Sequence, residues 1–274
     1  MVFIICLAVG FAAAFFGSLV GLGGGTILVP ILLLLHVYLD DFAWVIPQTV
    51  VGISLVVMVF TGISSSISYF KSKRIDVTSG FVFLIGCIPG GILGSWLNQF
   101  IDTKTFSIYF GSVMVCMFFT FFIKRSPKQI ENNHNSKWSL NRSISIDQTA
   151  YTYSVPWGGA IILSFIVGIL SGLFGIGGGS LMVPAMILLF GFPPHIATAT
   201  SMFMIIFLSS FSAVTHITLG NVPWQYVWLF IPGAWIGGTI GAKVNQRLNA
   251  NTVQWVLRIL LVIIGVRLIW QGIG

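Results

Sequence analysis

Carboxylates are scarce in this 274-residue chain, which holds six in all: Asp40, Asp41, Asp76, Asp102, Glu131 and Asp147. Each falls in or beside a polar break between apolar runs, so no run carries an acid at its centre. The buried carboxylates on which proton pumps and many proton-coupled carriers rely are therefore missing. Cysteine is equally rare. Cys6, Cys87 and Cys116 stand singly in apolar stretches, a pattern of small buried hydrophobes rather than of metal ligands or disulfides. Neither HExxH nor GxSxG occurs, so an intramembrane enzyme has no machinery to work with, and no catalytic residue, cofactor or metal is expected.

What the chain has instead is apolar length. Hydrophobic residues make up 56% of it, charged residues only 7%, and the mean hydropathy is +0.99. A soluble domain of this size cannot carry such a composition on its surface, so the chain reads as an all-α polytopic membrane protein with the lipid bilayer as its solvent. The formal charge of +7 would suggest nucleic acid in a soluble protein. Here the basic residues cluster in loops, where they set topology, and no nucleic-acid partner is implied. Residues 1–20 lack the positive start of a signal peptide and belong to a repeat, so they read as a retained segment.

The apolar segments run over about 2–20, 26–38, 44–70, 78–100 and 105–123, then 157–174, 180–191, 196–219, 225–246 and 252–271. Five segments occur twice, giving a first membrane repeat over 1–123, a polar cytoplasmic linker over 124–156 and a second repeat over 157–274. The halves match in detail. GLGGGTILVP (Gly21 to Pro30) returns as GIGGGSLMVP (Gly175 to Pro184), and Pro47, Gln48, Gly52 and Ser54 return as Pro194, His195, Ala199 and Ser201. After a short gap, Pro89, Gly90 and Gly94 align with Pro232, Gly233 and Gly237. This is an internal duplication.

Charge orients the halves. Lys71, Lys73 and Arg74, the linker cations Lys124, Arg125, Lys128, Lys137 and Arg142, and the later Lys243 and Arg247 go to the cytoplasm by the positive-inside rule. Asp40 and Asp41 then lie outside. An odd number of segments per half makes the repeats inverted, related by a pseudo-two-fold axis in the membrane plane, as in many secondary transporters.

Each repeat breaks at its triple glycine, because glycine costs roughly 1 kcal/mol per residue against alanine in a helix. The arms that follow, 26–38 and 180–191, reach only about 20 Å at 1.5 Å per residue, short of a ~30 Å hydrocarbon core. Each repeat thus begins with a Gly-tipped broken helix or re-entrant hairpin, and the pair is either re-entrant or a tilted full crossing. Backbone freed from a helix at membrane depth is tolerated only against protein or a polar cavity. The tips Gly23, Gly24, Gly25 and Gly177, Gly178, Gly179 are therefore the candidate substrate site, with Thr26 and Ser180 as N-caps of the short helices. Their free N–H groups and positive dipole ends suit a small anion without any lysine. Close helix packing alone would also use glycine, but repetition of the whole string favours a site.

The two strings, with PPHIATATS at Pro193 to Ser201, resemble the sulfite exporter TauE/SafE family over essentially the whole chain. The resemblance implies export of a small sulfur oxyanion such as sulfite, sulfoacetate or a related sulfonate across a prokaryotic cell membrane. Gln48 stands where His195 does and Ile53 where Thr200 does, so the two halves contribute unequally.

Ser54, Thr200 and Ser201 either donate to an oxyanion or bond back to their own helix carbonyls. His195 reads first as a loop-end histidine at the interface and second as a ligand. Gln48 is a ligand candidate by symmetry, and Arg258 either lines the anion path or snorkels to the interface. An outward-moving anion gains ~2.3 kcal/mol per charge per 100 mV from a cytoplasm-negative potential, so potential-driven alternating access is the simplest mechanism. An anion channel, or a carrier for a small carboxylate or other oxyanion, is the alternative. The oligomeric state is open.

Overall fold

The computed structural model describes residues 2–120, 139–146 and 149–248, together with the isolated positions 252, 255, 259, 262 and 266. Arg258 lies outside the described residues, as do 121–138, 147–148 and most of the tenth apolar segment.

The first repeat forms α1 (Val2–Val20), α2 (Gly25–Tyr38), α3 (Pro47–Lys71), α4 (Val77–Asn98) and α5 (Thr103–Thr120). The second forms α6 (Trp157–Phe174), α7 (Gly179–Phe190), α8 (Pro194–Thr218) and α9 (Trp224–Asn245). Six of these helices are long and apolar enough to cross a membrane: α1, α3, α4, α6, α8 and α9. The glycine-tipped helices α2 and α7 have 14 and 12 residues, about 21 and 18 Å at the helical rise. They are short arms, as their sequences predict.

Proline starts both central helices. Pro47 and Pro194 occupy the first turn, where the missing N–H has no partner to lose, preceded by Ile46 and Pro193 in extended conformation. In α3 and α8, 78% of the apolar window is buried, against 39% in α1 and α6. The two proline-started helices therefore form the core, and α1, α4, α6 and α9 surround it. Their outer faces carry Phe81, Ile85, Trp96, Ile162, Ile166, Trp228 and Ile236, all exposed, as helices facing acyl chains require.

Glycine brings the layers together. Side chains on Gly86, Gly90 and Gly94 of α4 would run into the backbone of α6 at Ile161, Phe165 and Ile169. Side chains on Gly233, Gly237 and Gly241 of α9 would run into α1 at Leu7, Phe11 and Phe15. Spacing of four keeps these glycines on one helix face, the small-residue route to close membrane packing. These contacts also correct the sequence alignment. Gly86, Gly90 and Gly94 are the counterparts of Gly233, Gly237 and Gly241, in continuous register with Pro47 and Pro194, and no gap is needed. Pro89 and Pro232, aligned from their shared Pro-Gly pair, are not equivalent.

The described part of the linker is a strand pair. Ser139–Ile146 (β1) and Thr149–Pro156 (β2) pair as an antiparallel hairpin, Ser139 opposite Pro156 and Ile146 opposite Thr149. Tyr153 and Val155 are buried with Phe83, Phe190 and Phe192, and the Tyr153 and Phe192 rings lie 4.0 Å apart. The composition of this stretch hides a strand pair, since only alternate residues face the helices.

Candidate glycine-tip site

The breaks form because three glycines in each string take left-handed backbone: Gly21, Gly23 and Gly24 at φ 84, 83 and 97°, and Gly175, Gly177 and Gly178 at 67, 71 and 69°. Residues with a Cβ avoid this region, so the tip conformation requires glycine. The N-caps are Gly24 and Gly178, without a side-chain cap bond. This corrects the expectation for Thr26 and Ser180, which sit inside the first turn because helix begins one residue earlier, at Gly25 and Gly179. Their hydroxyls are buried and have no hydrogen-bond partner. The first N–H groups of α2 and α7 have no carbonyl a turn earlier to bond.

The two tips meet. A side chain on Gly25 would strike the Gly175 carbonyl, and one on Gly179 would strike the Gly21 carbonyl. Ser54 of α3 donates to the Gly175 carbonyl at 2.7 Å, and Ser201 of α8 donates to the Gly21 carbonyl at 2.7 Å. Each central helix thus holds the opposite repeat's tip. Neither serine bonds back to its own helix, and neither is free to donate to an anion in this arrangement. Met58 Sδ would lie 3.1 Å from a side chain on Gly23 and 2.5 Å from one on Gly177, while Ile205 Cδ1 would lie 2.9 Å from one on Gly23 and 2.8 Å from one on Gly179. These two counterparts cap the junction with apolar surface.

The remaining candidates stand apart from the tips. Thr200 accepts from the Asp76 N–H at 3.0 Å, tying α8 to the α3–α4 loop. Gln48 donates to the carbonyls of Asn98 and Ile101 at 3.2 and 3.0 Å, and His195 Nδ1 lies 3.4 Å from Asn245 Oδ1. Both fasten the start of a central helix to the end of a peripheral one, and the structure does not bring them to the glycines.

Two features escaped the sequence. Asp76 lies beside a loop as expected, yet it is buried. It accepts from Ser79 N at 3.2 Å and Ser79 Oγ at 2.5 Å, from Tyr153 Oη at 2.8 Å and from Arg142 at 3.1 Å. Burial pushes its carboxyl up, but the hydrogen bonds from Ser79 and Tyr153 and the Arg142 charge outweigh it and hold it below the usual range. Arg74, first read as a topogenic charge, has a buried Nη1 without a partner.

The comparisons with known proteins agree with this architecture. The family profile described as sulfite exporter TauE/SafE matches residues 6–268. The chain belongs to the TauE/SafE family. It is 42% identical to the "Probable membrane transporter protein YunE" of Bacillus subtilis over 274 residues, covering 100% of this chain and 99% of that one. It is 28% identical to the "Probable membrane transporter protein MJ0441" of Methanocaldococcus jannaschii, over 94% and 92% of the two chains. A 91-residue stretch is 40% identical to "Sulfite exporter TauE/SafE family protein 5" of Arabidopsis thaliana, covering 32% of this chain and 20% of that one. No solved structure matches. With its six candidate spans, this TauE/SafE member is a multi-pass transporter of the cell membrane and not an enzyme.

Proposed function

We propose that the protein exports a small sulfur oxyanion, sulfite or a short sulfonate, by alternating access of two inverted repeats around the meeting glycine tips. The observation that carries this reading is the reciprocal clasp: Ser54 to Gly175 and Ser201 to Gly21, at equal distances, over two short helices whose first turns hold the unpartnered hydroxyls of Thr26 and Ser180. Residue pairs that exchange across an interface are the mark of a two-fold relation. When the tips part, each short helix presents N–H groups, a positive dipole end and one hydroxyl, the elements that bind an oxyanion without a cation. Tips that are in contact, as here, close the path, so the anion passes only with movement of one repeat against the other. The membrane potential supplies the drive, since an outgoing anion moves down it. The family's description, and the name of the Arabidopsis relative, favour sulfur among oxyanions.

The test is ligand-induced stabilisation of the purified protein by sulfite, sulfoacetate, acetate, phosphate and chloride, because a ligand of the folded state raises stability by RT ln(1 + [L]/Kd). Stabilisation by sulfite or sulfoacetate is expected. Stabilisation by acetate or phosphate alone removes sulfur from the reading. Trans-stimulated exchange of labelled sulfite in proteoliposomes separates a carrier from a channel, since an open pore shows none.

A further inference from the structure

The repeats are not equal on the two sides of the tips. Where α1 and α3 meet α9, a buried polar cluster satisfies itself. Ser18 Oγ donates to the Gly238 carbonyl at 2.8 Å, Ser65 donates to Ser18 Oγ at 2.7 Å, and Tyr69 Oη donates to the Ser18 carbonyl at 2.9 Å. The register established above places Gly172 opposite Ser18, Ser212 opposite Ser65 and His216 opposite Tyr69. The loss of the Ser18 hydroxyl removes the hub. Ser212 Oγ and both ring nitrogens of His216 are buried without a hydrogen-bond partner. The Gly172 carbonyl lies within electrostatic reach of the imidazole, short of hydrogen-bond geometry.

The α4–α6–α8 side then adds polar groups where its α9–α1–α3 counterpart has none. Ser171 stands for Gly17 and Ser95 for Ala242, and both hydroxyls are buried and unpartnered. Asn98 donates through Nδ2 to the Leu173 carbonyl at 2.7 Å and leaves Oδ1 unpartnered. All five side chains have no exposed surface. They are neighbours: a side chain on Gly172 would lie 2.9 Å from Ser95 Oγ, and one on Gly91, whose carbonyl abuts Gly172, would lie 2.7 Å from Ser212 Oγ. The row also reaches the tip, since Ser171 Oγ would lie 3.6 Å from a side chain on Gly178. One turn separates Ser212 from His216 along α8.

Buried polar groups without partners are costly and rare in a mature fold. Five of them in one row, at the place where the counterpart cluster is closed, mark a surface that takes its partners from elsewhere. We propose that Ser95, Asn98, Ser171, Ser212 and His216 form a second binding station for the transported anion, leading from the Gly178 tip toward the end of the membrane at which α8 terminates. The chemistry of the row defines the ligand. Three hydroxyls and an imidazole N–H offer donors, while Asn98 Oδ1 and the second ring nitrogen offer acceptors. The complement is a small oxyanion that retains a hydroxyl proton, such as hydrogensulfite: its oxygens accept and its O–H donates. This inference rests on the transport reading and extends it, since it places the substrate on one side of the tips only, between α4 of the first repeat and α6 and α8 of the second.

The test uses the purified full chain and sodium sulfite as the probe. The triple variant Ser95→Ala, Ser171→Ala, Ser212→Ala is compared with wild type for unliganded Tm, for sulfite-induced stabilisation and for sulfite efflux from proteoliposomes. The expected result is an unliganded Tm equal to or above wild type, because unpaired hydroxyls have been removed, with half-saturation for sulfite shifted upward by about tenfold or more. His216→Phe shows the same direction, and His216→Gln, which returns a donor and an acceptor, recovers part of the loss. Unchanged half-saturation in the serine triple, with wild type responding and Thr26→Val weakened, overturns the second station and leaves the tip site standing: the row then holds water. No sulfite response in wild type overturns the transport reading and this inference together.

Discussion

Thr26 and Ser180 are the residues on which the tip site can be judged, because packing and binding predict opposite results for them. Both hydroxyls are buried and unpartnered. A purely structural role makes Thr26→Val and Ser180→Ala neutral or stabilising, since an apolar replacement removes an unsatisfied group. An anion site makes the same variants slower by about tenfold per lost hydrogen bond to a charge. Transport rate against melting temperature in the two variants separates these, and slower transport at unchanged or higher Tm is expected. Glycine replacements are less clean. Gly24→Leu and Gly178→Leu should abolish transport, but Gly24 faces the Ala13 carbonyl at 2.8 Å and Gly178 faces Leu208 at 2.7 Å from a built Cβ. Part of their loss is therefore steric, on top of ~1–2 kcal/mol for a left-handed residue with a Cβ. The tip glycines were legible as a string. That Ser54 and Ser201 spend their donors on the opposite tip was not, because a serine's partner more than a hundred residues away leaves no local pattern.

At the scale of elements, the β-hairpin is tied to the membrane helices through Asp76, which also caps α4. A carboxyl held below the usual carboxylate range contributes stability that is present at neutral pH and lost as pH falls through the lowered value. Hydrogen exchange over 139–156 should therefore show protection from pH 7 down to about pH 4 and loss below it. Arg142→Gln should weaken the protection at pH 7, and Asp76→Ala should cost in addition about 1 kcal/mol for the α4 cap. Equal protection in the Arg142 variant would show that burial of Tyr153 and Val155 and the Tyr153–Asp76 hydrogen bond hold the hairpin without the ion pair. The helices themselves were readable from apolar length and from Pro47 and Pro194. The hairpin was not, since its alternation is split between a face on the helices and a face in water, within a stretch whose polar residues dominate any average.

For the whole molecule, the prediction concerns orientation. The reciprocal clasp and the matched glycine rows support the proposal that the halves are inverted repeats. Accessibility from the two sides of the membrane tests it. In a Cys116→Ser background, chosen because Cys116 is exposed while Cys6 and Cys87 are buried, Asp40→Cys and Asn221→Cys should react with an impermeant thiol reagent from outside and Gln246→Cys only from inside. Reaction of Gln246→Cys from outside would make the repeats parallel.

Membrane residence, the duplication, the short arms and the glycine tips were all present in the sequence, because each depends on local properties: apolar length, recurrence of a string, and the backbone freedom of glycine. Tertiary structure decided the rest. It set the register of α4 against α9, through contacts with α6 and α1 that no Pro-Gly pair encodes. It showed that the tips touch and are held crosswise, and it placed Gln48 and His195 at helix ends and turned Thr200 toward the α3–α4 loop. It also separated the satisfied cluster around Ser18 from the unsatisfied row ending at His216. Hydrogen-bond satisfaction is a property of which groups meet in space, and sequence spacing within a helix constrains only the groups on that helix.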